Sequence, residues 1–415
     1  MTNGDPGNAR IRTHAIVTLS SSLRLISALR SQLSVWGRRM TSPGLLMLAA
    51  PALLAVTDYQ ENVVADSELD GFIARQMDEL GIPGLSLAII NDGRTVYTRS
   101  PGVMNRDTGE PVDASSIFQA ASLSKPVFAF FVMKLSEKGV IDLDRPLYFY
   151  LPDDSFEIEP SYRQVTARMV LGHTTGFPNW RWFDEMPEGV DRPRGDFFLR
   201  QQPGTGFTYS GEAYQYLARV IAHLTFRNMN ELGELFQHEV GMPLGMKHAY
   251  FVWDDFVHEH GASGHVDGEV TGRKWGGGLP HHNSFIFNAP GGLRTEARSY
   301  AKFLETLINQ EGLWPETYRT MLAEHGPVGP ENSSYQEDGI TAWSLGFGLR
   351  RMGSDTIYTH GGNNRGFQSG FAFSITRRMG YVVFVNCEQG AEFKRRLEVF
   401  LKLRAPNLPA NPAIP

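Results

Sequence analysis

Gln119-Ala120-Ala121-Ser122-Leu123-Ser124-Lys125-Pro126-Val127-Phe128 is the stretch on which the reading of this chain turns. It runs on into Ala129-Phe130-Phe131-Val132-Met133, apolar on every side, which predicts a helix buried inside a lobe rather than lying on a surface. Ser122 and Lys125 are three residues apart, so a helix brings both side chains onto one face. A neutral lysine amine in that position can take the proton of a serine hydroxyl as it attacks a carbonyl. The positive end of the helix lowers the cost of negative charge at Ser122. Burial and the same helix end also favour the neutral amine. Ser124 is turned elsewhere on the helix, which leaves Ser122 as the nucleophile candidate. Ser-x-x-Lys arises by chance in many chains, so the pair gains weight only from partners elsewhere.

The chain of 415 residues is long enough for a large core and two structural lobes. Its 41% hydrophobic and 20% charged content is that of a soluble globular protein. A net charge of −6 and a pI of 6.1 give no reason to expect a nucleic-acid partner. The single cysteine, Cys387, excludes an internal disulfide and a cysteine-built zinc site, and following the run Tyr381-Val382-Val383-Phe384-Val385-Asn386 it reads as a small buried hydrophobe.

Residues 1–60 read as an N-terminal extension, 61–405 as the folded domain and 406–415 as a Pro-rich tail. The apolar run 44–56 is too short to span a bilayer and has the size of a signal-peptide apolar region, ~7–15 residues. Arg38-Arg39 precede it as a positive flank, and cleavage after Ala52 or near Ala55 would release the domain. Its depth in the chain implies a start at Met40 or an internal apolar linker. Export to a periplasmic or extracellular site is the expectation, with a cytoplasmic location if the run is not a signal, and no stable membrane span in the mature form.

Within the domain, Leu69, Phe72, Ile73, Met77 and Leu80 recur at helical spacing until Gly81 stops them. Residues 85–90 and 95–99 read as a hairpin about Asn91-Asp92-Gly93. Residues 150–300 read as a mostly helical lobe with long loops. Its helices are placed at 165–171, at 211–224 and, after Thr295-Glu296-Ala297, to about Asn309. Trp275-Gly276-Gly277-Gly278 and His281-His282 fall in a long loop of the kind that shapes a pocket rim. Strands are expected at 344–350, 356–360, 366–375 and 380–386, and a last helix from 391. The implied class is α+β: an antiparallel sheet built from both termini, with flanking helices.

Three motifs in order then give the chain a resemblance. Ser122-Leu123-Ser124-Lys125, Tyr209-Ser210-Gly211 and His360-Gly361-Gly362 resemble the marks of the serine β-lactamase-like superfamily: penicillin-binding proteins, class C β-lactamases and related carboxylesterases and peptidases. Thr166-Ala167-Arg168, His173-Thr174-Thr175-Gly176, Pro203-Gly204-Thr205, Pro243-Leu244-Gly245-Met246 and Gly291-Gly292-Leu293 add to the likeness, which covers roughly residues 65–405. The resemblance implies that Ser122 is acylated, Lys125 is its base and Tyr209 is a second acid/base. His360, Gly361 and Gly362 would border the substrate. The backbone N–H near Asn363 and that of Ser122 would form an oxyanion hole, where losing one donor typically costs ~10²–10³ in rate. Gly211 stands where many relatives carry asparagine, and histidine replaces the lysine of β-lactamases. Arg365 is a candidate to restore positive charge.

The implied function is a serine hydrolase acting on an ester or amide, with a small-molecule or peptide substrate and no cofactor. One alternative is a β-lactamase or D-Ala-D-Ala carboxypeptidase. Another is a non-catalytic penicillin-binding-like sensor or binding relative. His173 reads as a loop-fixing hydrogen-bonder. His258-Glu259-His260 and His281-His282 lack His-Glu-x-x-His spacing, so no metal is expected. The absence of Gly-x-Ser-x-Gly argues against an α/β-hydrolase.

Overall fold

The first helix, α1 (Asp66–Leu80), buries Leu69, Phe72 and Ile73 and ends where Gly81 takes the left-handed conformation (φ 64°), its N–H donating to Asp78 O. The structure is a computed structural model that describes residues 55–271 and 286–404. The run 44–56 lies almost wholly outside the described residues, as do residues 275–278, His281, His282 and the Pro-rich tail. Strands β1 (Leu85–Asn91) and β2 (Arg94–Arg99) form the expected hairpin, with Asp92 (φ 48°) and Gly93 (φ 68°) both left-handed, as the tightest hairpin turn requires.

Six further strands join from the C-terminal part: β3 (Gly326–Pro327), β4 (Ile340–Trp343), β5 (Gly348–Met352), β6 (Asp355–Asn364), β7 (Phe367–Ser374) and β8 (Met379–Val385). The antiparallel order is β3-β4-β5-β6-β7-β8-β1-β2, so the two ends of the domain meet at the β8–β1 seam, where Val382 faces Ala88. Side chains alternate across that seam. Leu87, Ile89, Tyr381 and Val383 pack under α1 and the last helix, α5 (Gly390–Phe400). Ala88, Ile90, Val382 and Phe384 face α2 (Ser124–Glu137) and α4 (Ala297–Asn309). Both faces are covered, which is why these strands read as unbroken apolar runs.

Val127, Phe128, Phe130, Phe131 and Val132 of α2 are all sealed from solvent. Each contributes about 1.5–3 kcal/mol by burial. On the opposite face, the fully buried Glu398 of α5 accepts from Arg350 Nη1 of β5 (2.9 Å) and Tyr381 Oη (2.7 Å), with Arg404 Nη1 at 3.7 Å. Burial alone would raise the Glu398 carboxyl, but Arg350 and Lys394 win and hold it down at about 2. Between α2 and α4 the regular structure is mainly short helices plus α3 (Gly211–Leu224), and residues 172–210 carry no helix. Among the described residues no helix is long and apolar enough to cross a membrane.

Three elements differ from expectation by more than one residue. The helix expected at 165–171 begins at Ala167, because Thr166 turns its hydroxyl back to accept from Met169 N (3.2 Å). The strand expected at 344–350 begins at Gly348. Gly346 ahead of it (φ 100°) turns the chain onto α2, where a Cβ would meet Ala129 Cβ at 2.8 Å. His360 does not end its strand, for Gly361 and Gly362 stay in the ladder opposite Gly370 and Ser369 and carry it to Asn364.

Candidate active site

Ser122 sits in a tight 3₁₀ turn (Ala121–Leu123) ahead of α2 rather than on the helix itself. The turn requires Ala121 at φ 48°, a left-handed conformation that costs an alanine about 1–2 kcal/mol. Surrounding bonds hold it there. Ser124 Oγ donates to Ala121 O (2.6 Å) and accepts from Leu293 N (2.9 Å). Ser369 Oγ of β7 donates to Ala120 O (2.7 Å), and Tyr300 Oη donates to Leu123 O (2.9 Å). Ser124 is thus a fastener of the turn, turned away from Lys125 as its position implied.

Lys125 Nζ lies 3.2 Å from Ser122 Oγ and donates to Pro290 O at 2.9 Å. No carboxylate stands within ion-pair distance of it among the described residues. Burial lowers its pKa to about 7. In the neutral amine one N–H serves Pro290 and the lone pair is available to the Ser122 hydroxyl. The ring of Tyr209 lies 4.5 Å from Lys125 Nζ. Burial pushes the Tyr209 phenol well above its usual value, and a hydrogen bond with Ser122 draws it only partly back. Of the two groups beside Ser122, the amine is therefore the one that can be an empty base near neutral pH, and the phenol stays protonated.

His360 Nδ1 lies 2.7 Å from Gly361 O, which can only accept, so Nδ1 carries the proton and Nε2 the lone pair. Burial first, then the Lys125 charge, lowers its pKa to about 3. The histidine that replaces the lysine of β-lactamases is thus neutral. The two glycines after it differ. A Cβ at Gly361 meets open space, whereas one at Gly362 would run into Ser369 Oγ and Ala120 O. Only glycine lets β6 lie this close to the Ser122 turn. The ladder between β5 and β6 covers Asp355–Thr359 only, so the strand runs on from His360 beyond the reach of β5. Asn363 and Arg365 are exposed and border the same cleft as Ser122, Lys125, Tyr209 and His360, a space of about 2100 Å³. Ser122, Lys125, Tyr209, His360, Gly361, Gly362, Asn363 and Arg365 therefore all border one cleft.

The family model described as Beta-lactamase matches residues 69–404. The chain belongs to the Beta-lactamase family. Among curated relatives of this Beta-lactamase-family chain, Esterase EstB of Burkholderia gladioli is 27% identical over 207 residues, 45% of this chain and 51% of the esterase. Protein flp of Staphylococcus aureus (strain MW2) is 20% identical over 331 residues, 78% of this chain and 63% of that protein. The chain thus spans about half of the first relative and under two thirds of the second. Among solved structures, the octameric penicillin-binding protein homologue from Pyrococcus abyssi is similar with a TM-score of 0.66 at 21% identity, covering 82% of this chain and 78% of that one. D-alanine carboxypeptidase AmpC from Burkholderia cenocepacia is similar with a TM-score of 0.62 at 20% identity, covering 80% of this chain and 96% of that one. These likenesses are of fold.

Several residues around the site of this Beta-lactamase-family chain carry no sequence signal. Pro290 offers only a carbonyl, and Ser369 is an isolated serine in an apolar strand. Tyr335 and Trp343 join Phe207 in an aromatic wall against Tyr209, with Tyr335 and Tyr209 centroids 5.9 Å apart. His173 fixes its loop by accepting from Ser210 N (3.1 Å), and its ring also lies 4.3 Å from that of Tyr209. Cys387 is buried and its thiol is pushed up to about 11 by burial. Among the described residues no three His, Cys, Asp or Glu side chains converge as metal ligands would; His281 and His282 lie outside them.

Proposed function

We propose that this chain is a serine acyl-hydrolase that cleaves an ester or amide through an acyl-enzyme on Ser122. Ser122 Oγ forms the bond to the carbonyl carbon while its proton passes to Lys125 Nζ. Tyr209 delivers a proton to the leaving alcohol or amine as the old bond breaks, and water then releases the acyl group by the reverse path. The N–H of Ser122 and a backbone N–H near Asn363 hold the oxyanion, with His360, Gly361 and Gly362 bordering the substrate. The observation that carries this reading is the Lys125 amine, 3.2 Å from Ser122 Oγ, buried without a carboxylate and lowered to about 7.

An ester preference is supported by the neutral His360 and by Gly211, neither of which offers a fixed group for a penicillin carboxylate. The named esterase among the relatives points the same way. Arg365, exposed at the cleft, favours the second reading, a D-alanine carboxypeptidase or β-lactamase, because it can meet a substrate carboxylate. Export through the run 44–56 belongs to the same proposal, and the mass of the mature protein tests it.

Intact-mass measurement after exposure to a fluorophosphonate is the deciding experiment. A single adduct that is absent from Ser122→Ala is expected, and equal labelling of that variant overturns the proposal. Turnover of short p-nitrophenyl esters against a chromogenic cephalosporin separates the two readings. Rapid cephalosporin turnover without ester cleavage would sink the esterase preference.

A further inference from the structure

Tyr335 stands in a short helix (Ser333–Glu337) at the border of the cleft, and its ring is held by three others. Its centroid lies 5.5 Å from that of Phe207, 5.6 Å from Trp343 and 5.9 Å from Tyr209. The helix is in turn bolted to the end of the domain. Arg404 Nη2 donates to Glu337 O and Arg404 Nη1 to Asp338 Oδ1, each at 2.9 Å. Ring and backbone are both fixed.

The hydroxyl on this well-held ring has no use in the fold. Tyr214, Tyr216 and Tyr300 donate to Leu171 O (3.2 Å), Leu151 O (2.7 Å) and Leu123 O (2.9 Å), and Tyr381 donates to Glu398 (2.7 Å). That is what a phenol withdrawn from water ordinarily requires. Tyr335 Oη neither donates to nor accepts from any group among the described residues, while the residue is half-buried and borders the cleft. A phenylalanine would complete the aromatic wall without placing a polar group in it. Burial first, then Tyr209 and Asp338, pushes the phenol well above its usual value, so it stays protonated.

Its neighbour decides which part of a substrate it meets. Tyr209 hands the proton to the departing alcohol, so a cleft-lining group packed against Tyr209 is set to meet the alcohol portion. Asp338, whose charge acts on the Tyr335 phenol, is already matched by Arg404 at 2.9 Å and Lys394 at 3.8 Å. A neutral donor among apolar rings and matched charges suits a neutral oxygen.

We propose that Tyr335 is a substrate-binding residue whose phenol donates to a second, uncharged oxygen on the alcohol portion of an ester held at Ser122. The inference rests on the acyl-hydrolase reading above. It narrows the substrate to esters of alcohols that carry an ether, hydroxyl or carbonyl oxygen, over esters of plain alkanols.

The test compares 2-methoxyethyl acetate with butyl acetate, two esters of similar shape that differ by one ether oxygen, on the full chain and on Tyr335→Phe. In the variant kcat/KM for the methoxyethyl ester is expected to fall about fivefold more than for the butyl ester, chiefly through KM, while a fluorophosphonate still labels Ser122. Taking the ratio of variant to parent for each ester removes their different intrinsic reactivities. Equal loss on both esters, loss on neither, or a labelled parent that cleaves neither overturns the proposal. If Tyr335→Phe does not fold, as judged by its melting curve, Tyr335→Met carries the same comparison. A parent chain that takes no fluorophosphonate overturns the hydrolase reading instead, so the two failures are distinct.

Discussion

Lys125 and Arg350 are both sealed from water, one on each side of the sheet, and they differ in what accompanies them. Arg350 meets Glu398 at 2.9 Å, and that carboxylate outweighs burial, raises the arginine's pKa and keeps the pair ionised. Lys125 has a carbonyl and a hydroxyl for company, and burial takes its pKa down to about 7. Similar burial thus yields a fixed charge in one place and a proton-exchanging amine in the other. A missing counter-ion, rather than an added group, makes the interior lysine suited to chemistry.

Breaking the amine side of this contrast gives the largest effect. Ser122→Ala and Lys125→Ala are each expected to lower kcat on esters by on the order of 10⁴-fold, and the double variant to be no worse than either, because the two act as a unit. Single-turnover rates check this, and additive losses would break the pairing. On the other side, Glu398→Ala leaves Arg350 buried without its partner and should cost about 3–5 kcal/mol in denaturant unfolding.

Acid probes both sites with opposite outcomes. The Glu398 carboxyl is lowered in the folded state from 4.5 to about 2, so its stabilisation is complete above pH 4.5 and drains as pH falls towards 2. Glu398→Gln should flatten that slope. The acylation rate instead requires the neutral amine, so it should rise about tenfold per pH unit up to about 7 and level off above it. His360, lowered to about 3, adds no break of its own in the neutral range. A stopped-flow profile with its acid limb near 5 would put the base elsewhere.

The smallest effect sharpens the comparison most. Because the folded state disfavours the lysine proton, Lys125 lowers stability progressively as pH falls from 10.5 to about 7. Lys125→Met should therefore be inactive yet more stable at pH 7, by about 0.5–2 kcal/mol.

How much of this was legible in the sequence follows from the reach of each interaction. The Ser122–Lys125 pair, α1 with its glycine stop and the β1–β2 hairpin are local, and periodicity or spacing displays them. Gly211 was visible as a departure, but Trp180 and Asn179, which fill its place, are brought there by a loop with no regular pattern. Ser369, Pro290 and Leu293 fasten the site from far along the chain through single hydroxyl, carbonyl or amide groups, for which composition offers no mark. The protonation states of Lys125 and His360 depend on burial from every side. The sequence could point to a neutral lysine only in principle, from the apolar run around it.

The seam between β8 and β1 also sets the order in which this molecule can be made. During synthesis the hairpin β1–β2 and the serine emerge before Ser369 and before the strand that completes the hairpin's other edge. Until then the turn that strains Ala121 lacks the bond from Ser369 Oγ to Ala120 O and keeps only those made by Ser124, Leu293 and Tyr300. A nascent chain, or one shortened before β7, would hold the serine in a less firmly fastened turn, with the apolar edge of β1 open to pairing with other chains. The site's full set of fasteners thus waits for β7 and β8, and synthesis interrupted before them would leave a sticky fragment.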